Sequence, residues 1–323
     1  RWGVLGLGSI ANRVLKGFKE TPPDATTVVA AASRSDEKAR TFARQYGIAR
    51  SYGSYEALLK DRDVDLVYVA LPNHLHKEWT LKALAAGKHV LCEKPVGLNE
   101  AEARAMIAAA KTRKRFLMEA FMYRCHPQIA RLKALLKAGA IGEVRTIAGG
   151  FSYGGINEDN CRMMLAEGGG GLMDVGCYPV SLMRLAAGEE PVTCEAVGTI
   201  GKRSKVDHWA AGLMRFPGGA VAHFDCGMMV NTDWSVTIFG SAGKIKVTSP
   251  WVPGPAEARL EVTRSSDGKT ETIAVPAKHI FANEAEAVAR AIRAGKTQAP
   301  EMTWDDTLGN MRALDALRAS MGL

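Results

Sequence analysis

RWGVLGLGSIAN, residues 1–12, decides the fold. An apolar strand-like run passes straight into glycines, and a helical pattern, NRVLKGFK, follows. GLGSIA at 6–11 fits G-x-G-x-x-[G/A] through Gly6, Gly8 and Ala11. The first glycine permits a tight turn, and the second removes the side chain that would block a pyrophosphate. The small third residue lets helix and strand pack closely, and the helix N-terminus attracts the anion. Ser9 and Ile10, inside the loop, join these three as candidates for cofactor binding. The pattern alone is unspecific, since ligand-free βα turns are also glycine-rich. Its place at the first strand–helix junction of an alternating half makes a dinucleotide site the expectation.

That alternation runs through the first 120 residues. TTVVAAAS (26–33), VDLVYVALP (64–72) and KHVLCEKP (88–95) read as further strands, the last two almost continuously apolar, as for parallel strands covered on both faces. Helical patterns separate them: DEKARTFARQYG, YEALLKD and HKEWTLKALAAG. Asn99 with Glu102 predicts a capping box opening a helix from Glu100 to about Lys114. FLMEAF (116–121) closes this half as a doubly wound α/β domain, a parallel-sheet Rossmann unit over 1–122. From about residue 140 the period changes. EVRTIAGGFSY, CEAVGTIG, HWAAGLMRFPGGAVAHFDCGM, WSVTIFGSAGKIKV, ARLEVTR and ETIAVP are β-rich, with FPGGA (216–220) as a hairpin turn. Residues 123–323 therefore read as an α+β domain with a large, mainly antiparallel open sheet and helices over 172–187, 280–294 and 304–321.

The totals exclude several function classes. With 323 residues the chain can bury two cores, and no apolar run reaches the length of a membrane span. The net charge is +8, and residues 1–122 carry 20 Lys/Arg against 13 Asp/Glu. The basic residues are scattered over helix faces, and the one tight cluster, KTRKR at 111–115, suits a helix C-terminus. Nucleic acid is therefore not the expected partner. The six cysteines form no CxxC pair and read as reduced thiols in a cytoplasmic protein, although a processed leader before Arg1 stays open. His74 and His76 flank Leu75 with no third ligand nearby, so no metal is expected.

The end of the second strand bears on the cofactor. Where an NAD-binding fold carries an acid for the ribose 2′-hydroxyl, this chain has Ser33, then Arg34. A hydroxyl and a guanidinium suit a 2′-phosphate, which a carboxylate would repel. NADP is expected in preference to NAD, with Lys38 as a further candidate nearby. Asp36 comes too late for the ribose and is expected to cap the next helix.

GLGSIA, ALPNHLH (70–76), CEKP (92–95), EAFMYRCHP (119–127) and GGGGLMDVGCY (168–178) occur in this order over nearly the whole chain. Together they resemble the glucose–fructose oxidoreductase / inositol dehydrogenase / MocA-like family. With Tyr in place of His at the last motif, the resemblance is to the branch holding NADP-linked aldose (D-xylose) 1-dehydrogenases and dimeric dihydrodiol dehydrogenases. It implies an oxidoreductase acting on a small carbohydrate, and a homodimer or homotetramer formed through the C-terminal sheet. It also implies that Lys94 and Tyr178 act at substrate and nicotinamide, with a cis bond before Pro95. Leu71, Pro72, Asn73, His74 and His76 would line the cofactor, Glu93 would lie under the nicotinamide and Arg162 near it. Many relatives have Trp-Arg where this chain has Cys161-Arg162, which alters that part of the pocket wall.

Hydride transfer from an alcohol carbon needs positioning and a group that takes the hydroxyl proton. A tyrosine, with a free pKa of about 10, is a poor base unless a nearby ammonium favours the phenolate. Tyr178 is the expected acid/base residue, with Lys94 lowering its pKa. Asp174, four residues before Tyr178, would share its helix face and accept sugar hydroxyls or orient Lys94. The four glycines at 168–171 would let the chain pass beside the cofactor before this helix begins. The sequence leaves open a keto-sugar reductase, a trans-dihydrodiol dehydrogenase, NAD-dependent glycoside cleavage and a non-catalytic dinucleotide sensor.

Overall fold

Trp2–Leu5 form β1, with all four residues buried. Five parallel strands join it: β2 (Val28–Ala32), β3 (Arg50–Tyr52), β4 (Leu66–Val69), β5 (His89–Glu93) and β6 (Leu117–Ala120), in the order β3-β2-β1-β4-β5-β6. The order reverses between β1 and β4. In such sheets ligands bind beyond the carboxyl ends of the strands at that point. The connections are α1 (Ser9–Glu20), α2 (Asp36–Tyr46), α3 (Tyr55–Leu59), α4 (His76–Ala85) and α5 (Glu100–Arg113). Asn99 caps α5 by accepting from the Glu102 N–H at 3.0 Å, but the Glu102 carboxylate accepts from Leu98 N rather than Asn99 N. The basic cluster falls where expected: α5 ends at Arg113, and Lys114 follows in the left-handed region.

The computed structural model describes residues 1–157, 159–254 and 258–323, and the chain divides into two units. Arg1–Cys125 combine with Lys278–Thr307, and His126–Ala277 with Leu308–Leu323. One boundary at residue 122 does not describe this division, because the segment 278–307 falls with the N-terminal residues. The cause is apolar burial. The helix Ile280–Arg293 buries Ile280, Phe281, Ala285 and Val288 and packs on α1 and on the short helix Met122–Cys125.

The second unit opens with α6 (Pro127–Lys137), whose N-cap His126 accepts from Gln128 N. β7 (Val144–Ser152) follows, then the π-helical turn Leu172–Gly176 and α7 (Cys177–Ala187). β8 (Thr193–Ile200), β9 (Asp207–Arg215), β10 (Val221–Gly227), β11 (Val236–Gly240), β12 (Gly243–Val247), β13 (Arg259–Arg264) and β14 (Thr270–Ala274) complete an eight-stranded sheet. Its order is β14-β13-β12-β11-β7-β10-β9-β8, antiparallel except for β7–β10. Strict alternation in β9 and β10 turns Ala210, Met214, Ala222 and Phe224 inward and Trp209, Leu213, Val221 and His223 outward. The inner face carries α7 and the π-turn. α8 (Ile280–Arg293) belongs to the first unit, and the division between the units falls within α9 (Trp304–Ser320). No helix among the described residues is long and apolar enough to cross a membrane.

Candidate active site

In the first unit the candidate groups gather at the switch point of the sheet. Gly6 has φ +87°, and a Cβ there would strike the carbonyl oxygen of Ala70, so the loops after β1 and β4 lie back to back. Only glycine tolerates both conditions. Gly8 differs: a Cβ there would meet no protein atom within 4 Å. The glycine thus leaves space that the protein does not use. Gly8 is also the N-cap of α1 and supplies no side-chain bond, and the first turn of α1 contains no acid. The orphan N–H groups of Ser9, Ile10 and Ala11 are left for water or an anion. This cradle fits a pyrophosphate.

Ser33 directly follows β2 and is buried, with its hydroxyl accepting from Ser35 N at 3.3 Å. Arg34 is exposed, and its positive charge lies near the Tyr55 phenol. Burial pushes the Tyr55 phenol up, and Arg34 works against that shift. The cap of α2 is Ser35, which accepts from Lys38 N at 3.2 Å. Asp36, expected to cap, stands one residue further on and pairs with Arg40 at 2.7 Å. The side chain of Lys38 is exposed. A hydroxyl and a guanidinium thus stand, with no carboxylate between them, where the ribose is expected.

After β4, Pro72 starts the short helix Asn73–Leu75, leaving Asn73 and His74 half-buried and Leu71 buried against Gly6. His76 is fully buried, its ring nitrogens each 2.8 Å from a carbonyl oxygen, Nδ1 from Pro95 and Nε2 from Leu71. Burial pushes its pKa down to about 4, so near neutrality the ring holds one proton. The ring thus stands between the loop after β4 and the turn after β5 and donates its single proton to one of their two carbonyls, a positioning role. The bond between Lys94 and Pro95 is cis. Glu93 is buried, accepting from Tyr68 Oη at 2.5 Å and from Lys94 N at 3.2 Å, while Glu119 accepts from Val96 N at 2.9 Å. Two carboxylates thus fix the backbone on either side of the half-buried Lys94. Sequence reasoning missed Tyr68 and Glu119; each looks like an ordinary strand residue until its partner is seen.

In the second unit, Asp174 is held from two sides. Tyr153 Oη donates to Oδ2 at 2.5 Å and Arg162 Nε to Oδ1 at 3.1 Å. Burial and the Asp174 charge push the Tyr153 phenol up, and the same carboxylate raises Arg162. Tyr178 is 4 % exposed, edge-on to Phe151 at 5.1 Å and to Trp251 at 5.8 Å. Asp174 lies in the π-turn and Tyr178 in the first turn of α7, so the spacing between them spans a change of helix type.

The glycine run also answers to partners inside its own unit. Cβ atoms at Gly169 and Gly170 would strike the Arg162 carbonyl and the Asp207 carboxylate, and Gly170 has φ +123°. Gly170 N donates to Arg162 O at 2.9 Å. The run lets the chain fold back on residues 162–164 before the π-turn begins. Asp207, buried at the start of β9, accepts from Leu172 N at 2.6 Å and so caps the turn that carries Asp174. Burial pushes the Asp207 carboxyl up, and the Leu172 N–H opposes this. Neither Asp207 nor Tyr153 carried a signal in the sequence. No cluster of His, Cys, Asp or Glu suited to a metal occurs among the described residues.

Comparison with known proteins agrees with this arrangement. Residues 1–121 match the model of an oxidoreductase family with an NAD-binding Rossmann fold, and 129–246 match the GFO/IDH/MocA C-terminal domain. The chain is 37 % identical to trans-1,2-dihydrobenzene-1,2-diol dehydrogenase of Oryctolagus cuniculus over 77 % of its length and 76 % of that protein. It is 33 % identical to D-xylose 1-dehydrogenase (NADP(+)) 2 of Haloferax volcanii, over 99 % of this chain and 96 % of the other. A 3-ketoreductase from Actinomadura kijaniata, crystallised with NADP and TDP-benzene, superposes with a TM-score of 0.89 at 32 % identity, over 99 % of this chain and 97 % of that one. Full-length similarity at this level, with both halves matched in order, places the chain in the GFO/IDH/MocA family of oxidoreductases.

Proposed function

We propose that this oxidoreductase is an NADP-dependent sugar dehydrogenase that oxidises C1 of an aldose to a lactone, with Lys94 and Tyr178 as its acid/base residues. The observation that carries the proposal is the switch-point cradle: Gly6 against Ala70, open space at Gly8, and Lys94 directly after β5, where Glu93 accepts from the Lys94 N–H and Glu119 from the Val96 N–H. Ser33 and Arg34 support the 2′-phosphate of NADP, and the Haloferax and Actinomadura relatives are named or crystallised with NADP.

When bound, the nicotinamide supplies the hydride acceptor. The chain's own residues bind, orient and move the proton. The loop at 6–11 and the N-terminus of α1 hold the pyrophosphate, and Leu71–His74 line the cofactor. Tyr178 Oη takes the proton of the substrate hydroxyl. The Lys94 ammonium favours the phenolate that accepts it and hydrogen-bonds the reacting oxygen. Asp174, fixed by Tyr153 and Arg162, receives sugar hydroxyls.

The similarity to dihydrodiol dehydrogenases and to a 3-ketoreductase supports a second reading, in which the same residues act on a trans-dihydrodiol or a keto-sugar. A substrate panel followed by NADPH absorbance separates the two. We expect aldoses to reduce NADP, with kcat/KM higher for NADP than for NAD. Lys94→Ala and Tyr178→Phe should each lose at least about a hundredfold in kcat while keeping NADPH affinity within about threefold. Dihydrodiols turned over in place of aldoses would transfer the assignment to the second reading. Full activity in both variants would remove the acid/base roles.

The outward row Val197, Trp209, Leu213, Val221 and Phe239 supports self-association through the open sheet face.

A further inference from the structure

We infer that Trp234 is the platform for the substrate's ring, a specificity-determining residue that favours a cyclic sugar over an open-chain polyol; the inference rests on the sugar-dehydrogenase reading above. Trp234 lies between β10 and β11 and is 44 % exposed, yet it is held firmly. Its Nε1–H donates to Ser152 O at 2.5 Å, and its ring packs edge-on to Phe151 at 4.9 Å and 70°. Phe151 in turn packs edge-on to Tyr178 at 5.1 Å. The exposed indole is therefore one ring away from the proposed acid/base residue.

The loop that carries it is anchored at three points. Asn231 Oδ1 accepts from Gly154 N at 2.8 Å. Thr232 gives its one hydroxyl proton to Asp225 Oδ2 at 2.6 Å, so Ser152 must be the donor in its 2.6 Å contact with Thr232. Three successive residues organise the area: Phe151 contacts Tyr178 and Trp234, Ser152 fixes the indole, and Tyr153 fixes Asp174. Water in contact with this aromatic surface is released when an apolar face covers it. An immobilised aromatic face loses little freedom when a ligand covers it. A pyranose offers an apolar C–H face with a rim of hydroxyls; the indole suits the face, and the Asp174 carboxylate, held by Tyr153 two residues beyond Phe151, suits the rim. An open-chain polyol has no such face.

The test compares wild type, Trp234→Ala and Trp234→Phe as holoenzymes with NADP. Steady-state kinetics on D-xylose and D-glucose, calorimetric titration of D-xylose and xylitol, and NADPH affinity are measured together. In Trp234→Ala we expect KM for both sugars to rise about tenfold, with kcat within about twofold and NADPH affinity unchanged. Trp234→Phe should recover most of the loss, and wild type should bind D-xylose more tightly than xylitol. Equal D-xylose affinity in wild type and Trp234→Ala overturns the platform and leaves the reaction assignment intact. A wild type that binds D-xylose through Trp234 without oxidising it keeps the platform and overturns the reaction. Unchanged sugar affinity with an altered oligomeric mass in Trp234→Ala overturns the inference in favour of a packing surface.

Discussion

Gly170 stands where a side chain is excluded twice, by its φ of +123° and by the carboxylate of Asp207 in the space a Cβ would take. Gly170→Val should therefore damage folding before it damages turnover. We expect a loss of about 3 kcal/mol or more, read as a fall in Tm; a Tm within about 2 °C of wild type would contradict the packing argument. Gly6 is excluded in the same way by Ala70, and its motif made that legible. Gly8 was legible for the opposite reason, because the motif needs a position with nothing above it. The glycine run was legible as a close approach, but not as an approach to its own unit. A run of glycines states that a backbone comes near something and does not name the something. Tyr153 and Asp207 were illegible for a related reason. Their function lies in the bond each makes, to Asp174 or Leu172, and no periodicity marks a residue by its partner.

Among the elements, the parallel strands were read with little error because β1 and β4 are apolar throughout and turns flank them. β3 escaped, being three half-buried residues, Arg50–Tyr52, too few and too polar to show a pattern. The turn Leu172–Gly176 escaped because a 3.6-residue period was assumed where the backbone adopts a wider one. Asp207 caps that turn from a neighbouring strand. Removing the cap should cost about 1–2 kcal/mol, since a buried N–H loses its acceptor. Asp207→Ala is expected to lower the urea midpoint accordingly, with a further loss of kcat as the segment bearing Asp174 loosens. An unchanged midpoint would show that Leu172 finds another acceptor.

For the molecule as a whole, two buried histidines lower stability as the pH falls below neutrality. His76 and His126 are both pushed down to about 4 by burial, against about 6.5 in an unfolded chain. The unfolded state thus takes up protons first as the pH falls. Their contribution is flat above pH 7, declines from about 6.5 and is lost below about 4, while Asp207 and Glu284, pushed up by burial, work in the opposite sense. His76 alone accounts for about 3 kcal/mol of that decline. Urea titrations at pH 7.5, 6 and 5 should show it, and His76→Asn should flatten the slope; a slope unchanged in that variant would refute the assignment. A second expectation concerns assembly. Leu213, 61 % exposed on the open sheet face, should report self-association. Leu213→Glu is expected to lower the mass seen by light scattering, and an unaltered mass would move the contact elsewhere. The return of residues 278–307 to the first unit was not legible, since amphipathic spacing in α8 says that a face is buried but not against which core.

The parallel pairing of β7 with β10 sets β7 inside its sheet, with ladders on both sides. Its amides are divided between two ladders near the middle of the sheet order, so deuterium should reach them late. The residues at its end, 151–153, inherit that rigidity and form a fixed wall. Residues 159–167, joined by short-range turns, should exchange early. A substrate would then meet residues 151–153 as a surface already set before it arrives.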